Sequence, residues 1–508
     1  MAQAMRDPSV VIIGAGMTGI LMTIKLREAG ITNITILEKK DNLGGTWREN
    51  TYPGVACDVP SYMYTYSFEP NAEWSNRFAR GPEIQEYFER VGRKYGVTDL
   101  IRFNEAVTEA EYKDAKWTVK TSKGDTIVAD FLIGATGILH HPAKPDIAGL
   151  DSFKGTMFHT AEWDHSVDMK GKRVGVIGTG STAAQFIPEL VNAGADVHVF
   201  QRTPQWIWKL ADKEYSEAHK ERMRKSPALM NLYKRSATAL LSQIFTKAVT
   251  GEGKLQRVLL EKYVKHNLKK SVKDPELRRK LTPNYKVGCK RLIINNTFYD
   301  AIQKPNAHLI TEGIDCINEA GIATKDGEQH DLDVIVLSTG FNPTAYMRPM
   351  NMLGRDGLHI DKAWEQKIKA YRSVAMENYP NFFLMLGPNT PIGNFSVIAM
   401  SEVQTDYIIK LINRWRNDEF DELEAKPEAI DNFMAYIKEG LKNTAWVGGC
   451  QSWYLDGDGD PILWPYTWEQ WVDEMKEPDM ASYSTQKVAP AQPKKRRASA
   501  KKTEEATA

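Results

Sequence analysis

The stretch Val10-Val11-Ile12-Ile13-Gly14-Ala15-Gly16-Met17-Thr18-Gly19 decides the fold class. Four consecutive apolar residues are the pattern of a strand buried on both faces of a parallel sheet. A GxGxxG turn follows without a gap. Ile20, Leu21, Ile24 and Leu26 then recur at helical spacing as far as Gly30, and a second apolar run, Ile34–Leu37, ends at Glu38. Strand, glycine turn, helix and strand make one βαβ unit, with an acid 24 residues beyond the first glycine.

Each glycine has a mechanical reason. Gly14 permits the tight turn, Gly16 lets the backbone approach a pyrophosphate, and Gly19 lets helix and strand pack closely. The pyrophosphate then rests on the helix N-terminus, where unpaired N–H groups favour negative charge. A lone GxGxxG is a weak signal, but inside a complete βαβ unit it is strong. Glu38 suits the hydroxyls of an unphosphorylated ribose, so this loop reads as a site for FAD or NAD.

The unit recurs. Residues 174–177 form an apolar run, and Gly178-Thr179-Gly180-Ser181-Thr182-Ala183 is a GxGxxA turn. A helix reaches Gly194, and a strand at 197–200 leads to Gln201-Arg202-Thr203. Arg202 again lies 24 residues after the first glycine. A guanidinium is permanently charged and grips a phosphate with two N–H groups, so the second site reads as NADP(H). The competing reading of Arg202 is a surface arginine at a strand end. Two such sites make an α/β chain with two dinucleotide-binding, Rossmann-like domains, and describe a flavoprotein fed by a nicotinamide. Two further strands end alike, in Ala135-Thr136-Gly137 and Ser338-Thr339-Gly340, and read as returns of the chain beside the nucleotides. Residues 209–284 read as inserted helices, and 397–445 as largely helical.

Composition sets the outer bounds. The 508 residues are 42% apolar and 26% charged, enough for several cores, which excludes a disordered chain or a fibre. Net charge is +1, from 66 basic and 65 acidic residues. Residues 487–508 carry seven Lys/Arg and two Glu, leaving 59 against 63 elsewhere, which argues against a nucleic-acid partner. Cys57, Cys289, Cys316 and Cys450 show no CxxC spacing. That argues against a disulfide framework, a thiol–disulfide reductase and a zinc ribbon, and no metal is expected. The first nine residues lack the apolar core of a signal peptide, and no apolar run is long enough to span a membrane. The expectation is a reduced, cytoplasmic, soluble protein. There is no GxSxG elbow for hydrolysis.

Three further stretches carry a family resemblance. Phe153-Lys154-Gly155-Thr156-Met157-Phe158-His159-Thr160-Ala161-Glu162-Trp163-Asp164 resembles the FxGxxxHxxxW(P/D) fingerprint of type I Baeyer–Villiger monooxygenases, and lies just before the second glycine loop. Gly44-Gly45-Thr46-Trp47, Tyr52-Pro53-Gly54 and Asp58 resemble that family's GGxWxxxxYPGxxxD signature. Lys290-Arg291 resembles its KR pair, and Ser452-Trp453-Tyr454 is similar to the SWY that closes over the nicotinamide. The likeness spans about residues 9–475 in order.

The resemblance implies an FAD domain at 1–142 and 344–484, and an NADP domain at 143–208 and 285–343. A helical insertion at 209–284 and a disordered basic tail at 485–508 complete the expected layout. It also implies a reaction: NADPH reduces FAD, O₂ adds at flavin C4a, and the peroxide attacks a ketone to give an ester or lactone, with sulfoxidation as a companion activity. Arg291 would stabilise the peroxide and the oxyanion, with Asp58 orienting it; the alternative is a purely structural ion pair. Gly45, Thr46 and Trp47 would line the flavin. Ser181, Thr182 and Thr203 would join the second loop in holding NADP, and Lys290 would share the 2′-phosphate with Arg202. Trp453 would donate to the NADP ribose. Phe153, Gly155, His159 and Trp163 would couple the cofactor domains as a hinge rather than act in acid–base chemistry. Gly387-Pro388-Asn389 reads as a loop at the flavin ring or as a plain tight turn. The rival functions are an N- or S-oxidising flavin monooxygenase and an idle nucleotide-binding protein. The expected substrate is a small ketone of undetermined size, and a monomer is favoured.

Overall fold

The computed structural model describes residues 5–390, 395–450, 455–456 and 458–488. Two wholly parallel five-stranded sheets organise the chain. The first contains β1 (Val10–Ile13), β2 (Ile34–Leu37), β3 (Ile101–Arg102), β4 (Phe131–Gly134) and, late in the chain, a strand at Phe382–Leu384. The second contains β5 (Thr156–His159), β6 (Arg173–Ile177), β7 (Asp196–Phe200), β8 (Ala307–Ile310) and β9 (Val334–Leu337); the late strand of the first sheet is β10. Strand order is β10-β4-β1-β2-β3 in one sheet and β8-β7-β6-β9-β5 in the other.

Continuous apolar runs make the central strands β1, β4 and β9 because each feeds two cores at once. Val10 and Ile12 of β1 enter a large shared core, while Val11 and Ile13 enter a second one behind the sheet. Val334 and Val336 of β9 enter the same shared core, and Ile335 and Leu337 a third. The shared core also takes in α1 (Met17–Glu28) and α2 (Ser181–Asn192), the helices that follow the two glycine turns.

The back face of each sheet is covered by strands that the sequence reading missed. Antiparallel strands at Val107–Lys113, Lys116–Thr121 and Thr126–Ala129 supply Ala110, Trp117 and Val119 to the second core. A smaller meander at 314–331 supplies Ile317 and Ile322 to the third. The first hairpin turns through Asp114 and Ala115, both at positive φ, without the glycine that normally marks such a turn.

The stretch at 209–284 is helical: α3 (Glu217–Lys225), α4 (Pro227–Leu240), α5 (Lys254–Ser271) and α6 (Pro275–Lys280). Ser226 caps α4 by accepting the Leu229 N–H at 3.2 Å, and Asp274 caps α6 through the Leu277 N–H at 2.8 Å. The chain leaves the second sheet at Ile207–Trp208 and returns at Ile293–Ile294, and these two segments pair in parallel. Later, α7 (Val397–Arg416) packs on α1, and α8 (Pro427–Leu441) follows a short strand at Glu422–Ala425. Among the described residues no helix is long and apolar enough to cross a membrane.

Two expectations are corrected. Cys289 and Cys450 are joined by a disulfide, with Cα atoms 6.2 Å apart, so the chain is not fully reduced. The partners lie 161 residues apart, a pairing that only the fold can reveal. The basic tail does not begin at 485. Tyr483–Gln486 pairs antiparallel with Glu422–Ala425, and the Val488 N–H donates to Asp421 at 2.8 Å. Tyr483 is buried, shares a 2.7 Å hydrogen bond with the Tyr407 hydroxyl and packs edge-on against Tyr371. Residues 489–508 lie outside the described residues. Tyr483→Ala removes a buried ring and orphans a hydroxyl, so it should cost about 3 kcal/mol or more of stability. A thermal unfolding curve unchanged from that of the parent would return this segment to the tail.

Candidate active site

Both glycine turns sit where strand order reverses, the usual crevice for a ligand in an open parallel sheet. Gly14 has φ +103°, and a methyl group there would lie 2.6 Å from the Ala135 carbonyl oxygen. Gly178 has φ +112°, and its methyl group would strike the Ser338 carbonyl. These carbonyls belong to the two small-Thr-Gly returns after β4 and β9. A methyl group on Gly19 would collide with the Gly14 carbonyl; in the second loop Ala183 fills that place, fully buried.

The middle glycines differ. A methyl group on Gly16 would meet only Gly45, at 3.6 Å, and one on Gly180 would meet nothing within 4 Å. Their φ values, −74° and −72°, are open to any residue. No protein atom therefore demands glycine at either position, and a Cβ on either would point into the crevice in front of the turn. Neither α1 nor α2 has a side-chain cap or an acid in its first turn, so the amide N–H groups face that space unneutralised. This cradle fits a dinucleotide pyrophosphate at each site.

Around the first cradle, Glu38 is buried and accepts the N–H groups of Ala15 at 2.8 Å and Lys40 at 2.9 Å. Burial raises its pKa above the usual carboxylate range. The opposite wall is Gly44-Gly45: Gly44 donates its N–H to Ala15 at 3.0 Å, and Thr46 starts a short helix, Thr46–Glu49. Trp47 Nε1 donates to the Tyr64 hydroxyl at 2.9 Å.

Around the second, the Thr203 carbonyl accepts the Thr179 hydroxyl at 3.0 Å, which ties the turn to the end of β7. Ser181 and Thr182 open α2. Arg202 is exposed. Lys290 stands over the Tyr285 ring at 5.1 Å, and its pKa is lowered by burial and then by the nearby Arg202 charge. Two cations sharing one neighbourhood repel each other, and an anion between them relieves that cost.

Asp58 and Arg291, 233 residues apart, meet in a bidentate pair: Nε to Oδ2 at 3.0 Å, and Nη2 to Oδ1 and Oδ2 at 2.7 Å. Gln185 of α2, which the sequence reading did not single out, fastens the two halves beside this pair. Its side chain accepts the Tyr52 hydroxyl at 2.9 Å and donates to the Ala56 carbonyl at 2.9 Å. Gly54, at φ +78°, approaches the Gln185 carbonyl so closely that a methyl group would stand 2.8 Å away. The glycine of Tyr-Pro-Gly was the available signal that a backbone passes close by.

The fingerprint packs between the sheets. His159 ends β5, and its Nδ1 accepts the Ala161 N–H at 3.1 Å. Burial lowers its pKa, which disfavours the imidazolium. Trp163 lies edge-on to Phe186 of α2 at 5.3 Å and to Phe158 at 5.2 Å. Gly155 leaves room for the Phe153 ring and the Asp333 carbonyl, 2.5 and 2.6 Å from where a methyl group would be. Asn389 is buried, and its N–H donates to the Ile462 carbonyl at 3.1 Å, so Gly387-Pro388-Asn389 is held by the C-terminal segment. Trp453, with Ser452 and Tyr454, lies outside the described residues. Asp196, His198 and His308 converge at the opposite end of β7 from Arg202, with His308 Nε2 2.7 Å from Asp196.

Residues 11–250 match a family model described as pyridine nucleotide-disulphide oxidoreductase. An uncharacterized monooxygenase of Mycobacterium bovis is 44% identical over 462 residues, covering 91% of this chain and 92% of its own. A Baeyer–Villiger monooxygenase of Streptomyces coelicolor is 37% identical over 491 residues, 95% of this chain and 93% of its own. The chain belongs to the Baeyer–Villiger monooxygenase family. Solved structures agree. OTEMO in complex with FAD and NADP aligns with a TM-score of 0.85 at 27% identity, covering 94% of this chain and 100% of that one. Oxidized steroid monooxygenase bound to NADP aligns at 0.84 and 28%, covering 95% and 100%. This protein is an FAD-containing, NADPH-dependent monooxygenase that uses O₂.

The glycines separate ligand effects from folding effects. Gly16→Ala should match the stability of the flavin-free parent chain and purify with little or no flavin. Gly19→Ala introduces a backbone clash and should lose stability by roughly 1–3 kcal/mol or more. Flavin absorbance and melting temperature, measured on both variants, check the pair. A fully yellow Gly16→Ala preparation would contradict the assignment of FAD to this loop.

Proposed function

We propose that this monooxygenase inserts an oxygen atom beside the carbonyl of a ketone, giving an ester or lactone, and also oxidises sulfides. The observation that carries the reading is the bidentate Asp58–Arg291 pair at the joint of the two cofactor units. When bound, FAD and NADPH supply hydride transfer and the reduced flavin's reactivity toward O₂.

The protein's part is binding, orientation and charge. Gly14, Gly16, Gly19 and Glu38 hold FAD, with Gly45, Thr46 and Trp47 on the facing wall. Gly178, Gly180, Ser181, Thr182 and Thr203 hold the NADP pyrophosphate. Arg202 and Lys290 take the 2′-phosphate, whose negative charge satisfies both cations. Arg291 presents a permanent positive charge where negative charge develops on the ketone oxygen. Asp58 fixes the plane of that guanidinium, so little reorganisation remains at the moment of reaction. His159 and Trp163, with Phe153 and Gly155, join the units mechanically; a buried, neutral imidazole that already accepts an N–H is poorly suited to deliver a proton. An N- or S-oxidising enzyme needs no such cation opposite a carbonyl, which is why the ketone reading is preferred.

Two measurements test this. Arg202→Ala forfeits a charged hydrogen bond of about 1.5–3 kcal/mol. Its KM for NADPH should rise more than tenfold, with NADH use little changed; equal use of NADH and NADPH by the parent enzyme would rule out the 2′-phosphate role. Arg291→Ala should keep FAD and remain reducible by NADPH. Its ester formation should fall by roughly 10²–10³, with hydrogen peroxide released instead. Asp58→Ala should show a milder form of the same defect. Stopped-flow reduction beside product analysis over a panel of ketones and sulfides decides it. Near-parental ester formation by Arg291→Ala would move the chemistry elsewhere in the site.

A further inference from the structure

The helical insertion carries an unusual surface. Eight of the thirteen large apolar or aromatic side chains exposed among the described residues lie between Leu232 and Tyr263. Six of them lie on one helical hairpin. After α4 the chain continues through a π-helical segment, Leu241–Thr246, and a helical turn, Lys247–Thr250. It reverses at Gly251, φ +92°, and α5 packs back against that turn and the π segment. Inside this hairpin Phe245, Val249, Leu260 and Val264 are buried. Outside it Leu240, Ile244, Leu255, Val258, Leu259 and Tyr263 are 40–68% exposed. A surface helix normally turns polar residues outward, and single exposed apolar residues are ordinary, but a contiguous group marks a docking face.

Charge narrows the partner. Residues 209–284 hold 19 Lys/Arg against eight Asp/Glu, a net +11. The rest of the chain up to residue 486 holds 40 against 55, a net −15. Along α5, Lys254, Lys262, Lys269 and Lys270 border the apolar stripe, and among its described lysines only Lys265 pairs with a carboxylate, Glu261. A two-fold contact with a second copy would set +11 against +11, and the basic tail has the same sign. A nucleic acid would meet the lysines with phosphates but offer nothing to six apolar side chains. An anionic bilayer offers both: acyl chains for the leucines, isoleucine, valine and tyrosine, and headgroup phosphates for the lysines around them.

We infer that the helical insertion docks this enzyme peripherally on anionic lipid surfaces through Leu240, Ile244, Leu255, Val258, Leu259 and Tyr263 and their lysine rim. The inference is independent of the ketone reading. The test uses the FAD-loaded full chain, sedimented with phosphatidylcholine vesicles with and without phosphatidylglycerol. The enzyme should pellet with the phosphatidylglycerol vesicles at low salt, leave them as ionic strength rises past about 0.1 M, and ignore pure phosphatidylcholine. Leu255→Gln/Leu259→Gln should keep the flavin spectrum and NADPH oxidation but bind at least tenfold more weakly. Lys254→Gln/Lys262→Gln should weaken binding and flatten its salt dependence. A chain ending at residue 488 should bind like the parent. Failure to pellet with phosphatidylglycerol, parental binding by the leucine variant, or loss of binding with the tail would each overturn the inference. A dimer in light scattering that the leucine variant dissociates would overturn it too, by giving the face to a second copy.

Discussion

The grip of Asp58 on Arg291 is the contact on which the arrangement of the site depends. It joins a residue from the segment that walls the first cradle to one that follows the helical insertion of the second unit. A half-buried guanidinium without a carboxylate would be costly, so the pair constrains how the two units meet. Three neighbours reinforce it. Gln185 bridges Tyr52 and Ala56 from the helix behind the second glycine loop. Trp163 wedges against the same helix through Phe186. Cys289, two residues before Arg291, is fastened to Cys450. The cation is therefore held from the first unit, from the second and from the C-terminal segment at once.

What could be read from the residues follows burial. Strands covered on both faces must be largely apolar, and β1, β2, β4 and β9 stand out from polar neighbours for that reason. The meanders behind the sheets bury one face only. Residues 107–113 mix buried and exposed positions irregularly, and their hairpin turns at Asp114-Ala115 without a glycine. Tyr483–Gln486 is a strand because Glu422–Ala425 is there to pair with it; composition could not supply the partner. The disulfide escaped for the same reason.

The candidate site was legible where a position demands a particular residue type. Gly14 and Gly178 sit at positive φ against a carbonyl, and no other residue type fits comfortably. Asp58 and Arg291 were named together on resemblance, and the fold brings them into contact. Gln185 was not legible: a glutamine on a helix has no distinctive spacing, and its importance comes from what lies across from it.

The segregation of charge has a consequence for how the molecule behaves before any contact forms. With +11 on the inserted helices and −15 over the remainder up to residue 486, a near-neutral sum conceals a large molecular dipole. The net charge of +1 and isoelectric point near 7.6 are then poor guides to behaviour in solution. At low ionic strength such a particle rotates into alignment as it nears a charged boundary, and its ends attract those of its neighbours. Added salt, by shortening the reach of that field, disperses the molecules instead of precipitating them.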